Sequence, residues 1–420
     1  MIHYAQPIDN ESLLGILRRT CGYVDIRLME HGMRVAQLTA HMLAVPGTRY
    51  TPRQQRNACF VAVLHDVGAY KTEEVDHLLR FETGPVWEHS VYGSLFLKYF
   101  SPFSALSSAV LFHHAPYSML EGLGLAPDCS SLAALLHLAD RADLLFQQSR
   151  EDPVALLGLH AGTEFSPRAL ALLHAIDLPA ALAVPPETDP LLLSMLCSVP
   201  FSPEEVDACL QMLIFAIDFR SRHTVTHTMT TASVSGVLAQ LLGLSETKRD
   251  QIVCGALLHD LGKIGIPVEI LEYPGKLSPQ AMEIMRTHVA LTEKILGDSV
   301  AEPVKRIALR HHEKLDGSGY PLGLRAEALT TEERVVAVAD IVSALCGTRS
   351  YKEAYPKERV LELLAQQSAA GHIDPEMVAL TTTHFDAMMD QVSSRTQPIL
   401  AIYATIKDEY AALMGLYGAV

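Results

Sequence analysis

Residues 245–262 read SETKRDQIVCGALLHDLG, and residues 51–68 read TPRQQRNACFVAVLHDVG. Each opens on a hydroxyl residue suited to capping a helix. Each then carries apolar residues at three- and four-residue spacing and ends apolar-His-Asp-apolar-Gly. The pair is one landmark of a longer repeat. HGMRVA (31–36) answers HTMTTA (227–232), and WEHSVYGSLFL (87–97) answers RTHVALTEKIL (286–296). FHHAP (112–116) answers RHHEK (310–314), and LADRADLL (138–145) answers VADIVSAL (338–345). The offsets all fall between 194 and 200 residues. Five polar landmarks in one order at one spacing indicate a duplicated domain. The expected boundaries are 1–200 and 201–420, with the Pro-rich stretch from Pro179 to Pro200 as the seam.

Helical periodicity runs through nearly the whole chain and strand-like alternation is absent, so the expected fold is all-α, two tandem helical domains. Helix starts are marked at Thr51-Pro52, Ser202-Pro203, Ser278-Pro279 and Thr330-Thr331, the first, second and fourth with Gln or Glu three residues after the hydroxyl. A chain of 420 residues that is 49% hydrophobic and 19% charged buries real cores without disulfides, and it is not disordered. Seven cysteines without a C-x-x-C give no support to a zinc ribbon or a disulfide framework. With no signal-like N-terminus and no long apolar run, the expectation is a cytoplasmic protein with no membrane span. A net charge of −15 argues against coating a DNA or RNA polymer, but leaves room for a small phosphate ligand held by a metal.

The anomaly is 19 histidines. The second half offers His227, His259-Asp260, His288, His311-His312 and Asp340, imidazoles and carboxylates that suit manganese, iron, nickel or zinc. These are too many for one tetrahedral ion. His227, His259, Asp260 and Asp340 fit around one metal; if Asp260 bridges, His288, His311 and His312 hold a second. Adjacent histidines cannot both face one side of a helix, so a helix end is expected at His311-His312. His223, one turn before His227, is either a ligand for a third metal or a solvated surface histidine.

On HDLGKIGIP (259–267), HHEKLDGSGYP (311–321), VADIVSAL (338–345) and TRSYKEAYP (348–356), the second half resembles the HD-GYP subgroup of HD-domain phosphohydrolases. The resemblance spans about 202–400. It implies an all-helical domain with two or three divalent metals, iron or manganese, that hydrolyses cyclic dinucleotides. It also implies that Lys263, Arg349 and Lys352 contact phosphate and that Gly319, Tyr320 and Pro321 form a substrate loop. Departures are His223 at a usually acidic or aromatic position, Ser343 where a second aspartate is usual, and Lys314-Leu315 after the HHE. The site then reads as a metal-activated hydroxide displacing the ribose 3′ oxygen from phosphorus, with Asp260 and Lys263 as the catalytic pair. The substrate is cyclic di-GMP or 3′,3′-cyclic GMP-AMP. The alternative is a receptor that binds the cyclic dinucleotide and recruits signalling partners through the Gly-Tyr-Pro loop.

The first half keeps a ligand set, His31, His65, Asp66, His89, His113, His114 and Asp140, and resembles a general HD domain. It has Ala69 in place of Lys263, Arg27 in place of His223, and no Gly-Tyr-Pro after its histidine pair. Three readings stay open: a metal-bearing hydrolase that removes phosphate from the linear product, a metal-bearing regulatory domain, and a structural relic.

Overall fold

The computed structural model describes residues 8–70, 87–148, 152–220, 226–347 and 354–417. Among them the chain is all-α, with no strand beyond the isolated bridges Ala161–Phe165 and Asp316–Arg325. No helix among the described residues is long and apolar enough to cross a membrane. The chain divides into two compact units. One is Pro203–Thr405 with Ser12–Thr20; the other is Cys21–Ser202 with Asp9–Glu11 and Ile406–Val420.

Local chemistry sets several helix starts. Thr51 and Thr330 form complete capping boxes with Gln54 and Glu333, and Ser278 accepts from the Ala281 N–H. Ser245 differs: it precedes Glu246–Leu258 with extended backbone, but its hydroxyl makes no capping bond.

The stretch expected as a seam is folded onto the first-half unit. Pro179 and Pro190 sit in the first turn of short helices, Leu178–Ala183 and Pro190–Leu196, capped by Asp177 and Asp189. The buried Asp189 carboxylate also accepts from Gln37 Nε2 at 2.8 Å and lies 2.9 Å from His41 Nε2, tying the stretch to helix Ile26–Leu43. Leu192 and Leu196 are fully buried. Arg56, also fully buried, donates to the Val199 and Pro200 carbonyls, and its guanidinium lies 3.9 Å from the Phe201 ring centre. In the second-half unit, helix His227–Leu241 packs against Glu246–Leu258 and Thr331–Cys346.

Candidate metal centres

Five segments of the second half converge. His227 opens His227–Leu241, and His259-Asp260 lie where Glu246–Leu258 passes into the 3-10 turn Leu261–Gly265. His288 lies in Pro279–Leu296 and Asp340 in Thr331–Cys346. His311-His312 follow Glu302–Leu309, so the expected helix end is there; the two ring centres lie 3.9 Å apart with their planes tilted by 47°.

Asp260 is the pivot. Its Oδ2 lies 3.3 Å from His227 Nε2 and 3.0 Å from His259 Nε2, while its Oδ1 lies 3.5 Å from His288 Nε2 and 4.0 Å from His311 Nε2. Asp340 turns Oδ1 to His227 (3.1 Å) and Oδ2 to His312 (3.6 Å). Lys263 donates to Asp260 Oδ2 at 2.5 Å.

The imidazoles are oriented for metal. The Nδ1 atoms of His259, His288 and His311 lie 2.6, 2.7 and 2.7 Å from the carbonyls of Ala256, Met285 and Ala308. A carbonyl only accepts, so each Nδ1 carries a proton and Nε2 is the atom turned toward the cluster. For His227 the partner is Ser343. The serine hydroxyl donates to the His227 carbonyl at 2.9 Å, so its oxygen accepts from Nδ1 at 3.0 Å.

A divalent cation fits this arrangement. Buried His227 Nε2, His259 Nε2 and Asp260 Oδ1 have no hydrogen-bond partner. Polar atoms left so cost about 1–3 kcal/mol each, and a cation satisfies them. Two sets, His227/His259/Asp260 and His288/His311/His312, each bring one donor atom per residue within 4.8 Å of the others. Burial works against the charge on Asp260 and Asp340, yet the surrounding imidazoles, with Lys263 beside Asp260, hold both well below the usual carboxylate range. Burial pushes His312 down to about 3. Burial opposes a charge on His259, but Asp260 and Asp340 outweigh it and lift its pKa to about 10, so a metal binding there would displace a proton from that ring.

The first half repeats the geometry. Asp66 Oδ2 lies 3.4 Å from His65 Nε2, and its Oδ1 lies 3.5 and 3.4 Å from the Nε2 atoms of His89 and His113. His31 Nε2 is 3.0 Å from Asp140 Oδ1, and His114 Nδ1 is 3.6 Å from Asp140 Oδ2. His65 and His113 donate through Nδ1 to the Ala62 and Val110 carbonyls. His65 Nε2, Asp66 Oδ1 and Asp140 Oδ2 are buried without a partner. The donor groups are His31/His65/Asp140 and Asp66/His89/His113/His114.

Both turns after the His-Asp pair need their glycine. A Cβ on Gly262 would fall on the His288 carbonyl and 2.5 Å from the Thr292 nitrogen. A Cβ on Gly68 would fall on the His89 carbonyl. The turn thus lies directly on the helix bearing the next histidine, and Thr292 Oγ1 locks it by accepting from Gly262 N and donating to the His259 carbonyl. The Gly319-Tyr320-Pro321 loop folds back on the histidine pair. Buried Glu313 accepts from the Leu322 and Leu324 N–H groups, and the Tyr320 ring lies 4.7 Å from that of His312, with the Arg286 guanidinium 4.9 Å away on Tyr320.

His223, Arg349 and Lys352 lie outside the described residues. Sequence reasoning missed Thr292, Glu313 and Asp143. Asp143 stands where the second half has Ser343, 2.8 Å from His31 Nδ1 and bonded by Arg34 at 2.7 and 3.0 Å. Burial opposes a charge on His31, but hydrogen bonds to Asp140 and Asp143 outweigh it and lift its pKa to about 10. The signal was present in the sequence: Asp143 follows Asp140 by three residues, on the same helix face.

A family model described as HD domain matches residues 211–377. The 3′3′-cGAMP-specific phosphodiesterase 1 of Vibrio cholerae is 26% identical over 385 residues, 86% of this chain and 88% of that protein. The 3′3′-cGAMP-specific phosphodiesterase 2 of the same organism is 40% identical over 174 residues, 41% of this chain and 33% of that protein. The cyclic di-GMP phosphodiesterase response regulator RpfG of Xanthomonas campestris is 40% identical over 41% of this chain and 47% of its own length. The crystal structure of the cyclic GMP-AMP phosphodiesterase V-cGAP3 of V. cholerae shares the fold, with TM-score 0.54 and 18% identity over 89% of this chain and 97% of that one. The His-Asp pairs and the helical fold agree with the family match, which gives the chain an HD domain at residues 211–377.

Proposed function

We propose that the second-half centre is a metal-dependent phosphodiesterase site that opens a cyclic dinucleotide to the linear dinucleotide. The observation that carries this reading is Asp260, which turns one oxygen to each of two imidazole sets while Lys263 sits on it. Relatives of two kinds support the substrate class, since their names specify cyclic GMP-AMP or cyclic di-GMP. Two divalent ions, iron or manganese, would be held by His227, His259, Asp260 and Asp340 and by Asp260, His288, His311 and His312. When bound, such a pair supplies Lewis acidity that activates water at neutral pH and neutralises phosphoryl charge.

The chain's own residues do the rest. Asp260 holds the two ligand sets in register. Lys263, held against that carboxylate, brings a cation to where negative charge builds on the phosphoryl oxygens. Arg349 and Lys352 are assigned the remaining phosphate contacts, and Tyr320, on the loop pinned by Glu313, the base contact. The first-half set is assigned a metal of its own and the removal of the terminal phosphate from the linear product. It keeps the bridging aspartate but has Ala69 in place of the lysine.

The test is turnover with Mn²⁺ or anaerobic Fe²⁺ on cyclic di-GMP, 3′,3′-cyclic GMP-AMP and cyclic di-AMP, with products separated by chromatography. Linear dinucleotide is the expected product, and the panel gives the base preference. Tight binding with no linear product under either metal would make the protein a receptor.

A further inference from the structure

Arg286 is exposed on helix Pro279–Leu296, two residues before His288. Its guanidinium lies 4.9 Å from the centre of the Tyr320 ring, and that ring lies 4.7 Å from the ring of His312. Glu283 is exposed one turn earlier on the same helix, at a spacing where a Glu–Arg pair can form. Arg286 does not take it up: among the described residues it makes no hydrogen bond or ion pair, and its side chain lies against the tyrosine instead. The first half has Trp87 at the matching position and no Gly-Tyr-Pro after its histidine pair. The arginine and the loop thus occur together in one copy, and neither occurs in the other.

Position and chemistry decide what this pair suits. A cation that serves the breaking phosphate belongs at the metal ligands, where Lys263 meets Asp260. Arg286 stands one ring further out, beyond Tyr320, within reach of a purine joined to that phosphate through its ribose. A guanidinium drawn to an aromatic face still has its N–H groups to give, and it has donors only. Guanine offers two acceptors side by side, O6 and N7. Adenine offers N7 beside an amino donor that an arginine cannot answer.

We propose that Arg286 reads a guanine base lying against Tyr320, so that the second-half centre selects cyclic dinucleotides that contain guanine. The inference rests on the reading of that centre as a cyclic-dinucleotide site. The test compares the full chain with its Arg286→Ala, Arg286→Lys and Arg286→Gln variants on cyclic di-GMP, 3′,3′-cyclic GMP-AMP and cyclic di-AMP with Mn²⁺. Bound metal is counted by elemental analysis. Arg286→Ala should raise KM for cyclic di-GMP at least about tenfold, with kcat within about threefold, metal content unchanged and activity on cyclic di-AMP little altered. Arg286→Lys keeps the charge without the fork and should fall in between. Arg286→Gln, whose amide matches N6 and N7 of adenine, should shift the preference toward cyclic di-AMP. An equal loss on all three substrates overturns the proposal, since it would make Arg286 a phosphate contact or a brace for Tyr320; so does no loss on any. If the wild type opens none of the three under manganese or anaerobic iron, the phosphodiesterase reading fails separately. The affinities of the same proteins for the three compounds, titrated calorimetrically, then carry the test, and affinities that do not depend on the base through Arg286 overturn the proposal.

Discussion

Single atoms decide how each histidine behaves. Ser343 fixes His227 with a neutral oxygen, whereas Asp143 holds His31 with a carboxylate. Ser343→Ala leaves the buried Nδ1–H without an acceptor and frees the ring to turn. Metal affinity or turnover should fall about tenfold, read by metal titration alongside kcat. Ser343→Asp supplies the partner the first half uses and should bind metal more tightly than wild type. A second residue, Asp207, sits outside either centre. It is buried on helix Pro203–Arg220 with Oδ1 unpartnered, and burial, helped by Glu204, raises its pKa from 3.8 to about 7. Between those values the folded chain binds a proton that the unfolded chain releases, so stability from this group falls as pH rises from about 4 to about 7 and is level above. Asp207→Asn should raise the melting temperature at pH 8, with the gain shrinking toward pH 4; an equal gain at both would exclude titration as the cause. The metal-type residues were legible in the sequence because repetition exposed them. Asp207 was not, because burial of a lone aspartate in an amphipathic helix leaves no pattern.

Helices and turns carry those atoms into place, and here legibility follows the range of the chemistry. Thr51 and Thr330 were readable as caps because both partners of the box lie within four residues. Ser245 has Lys248 where Thr51 and Thr330 have Gln54 and Glu333, so it lacks the second partner of the box, and its hydroxyl makes no capping bond. The prolines after Pro179 suggested a seam, but proline favours the first turn of a helix as much as it breaks one, and the buried Asp189 and Leu192 decide between these only through residues far away in sequence. The His-Asp-x-Gly turn is an element that could be read as motif but explained only in three dimensions. Gly262→Ala drives a methyl into the backbone of the helix that holds His288, and neither side is a flexible side chain that could move aside. The cost should be on the order of 3 kcal/mol or more, seen as a lower urea midpoint. A variant as stable as wild type would mean that turn and helix part more easily than this contact allows.

Across the whole molecule, the duplicated order of ligand-type residues was legible at 194–200 residue spacing, and the differences between the copies are what the proposed division of labour rests on. Both halves have an aspartate set among the imidazoles, and partnerless buried Nε2 and Oδ atoms. Among the described residues, a lysine on that aspartate and a Gly-Tyr-Pro loop over the histidine pair are found in the second half alone. A diester carries one negative charge at phosphorus and gains from a dedicated cation as its bond breaks, whereas a terminal phosphate carries more charge and binds a metal centre directly. Removing the first-half ligands with His65→Ala and Asp66→Ala should therefore leave ring opening of the cyclic dinucleotide within about threefold of wild type, while His259→Ala and Asp260→Ala should lower it at least a hundredfold, first ligands being worth more than their supporting contacts. The first-half variant should instead accumulate linear dinucleotide that keeps its 5′ phosphate. Chromatography of one time course separates the two steps. If the first-half variant lost ring opening as completely as the second-half variant, the halves would be working as one catalyst. If wild type itself left the 5′ phosphate in place under manganese and under anaerobic iron, the first half would be a regulatory metal site, and its ligands would then show in the affinity for substrate and not in the products.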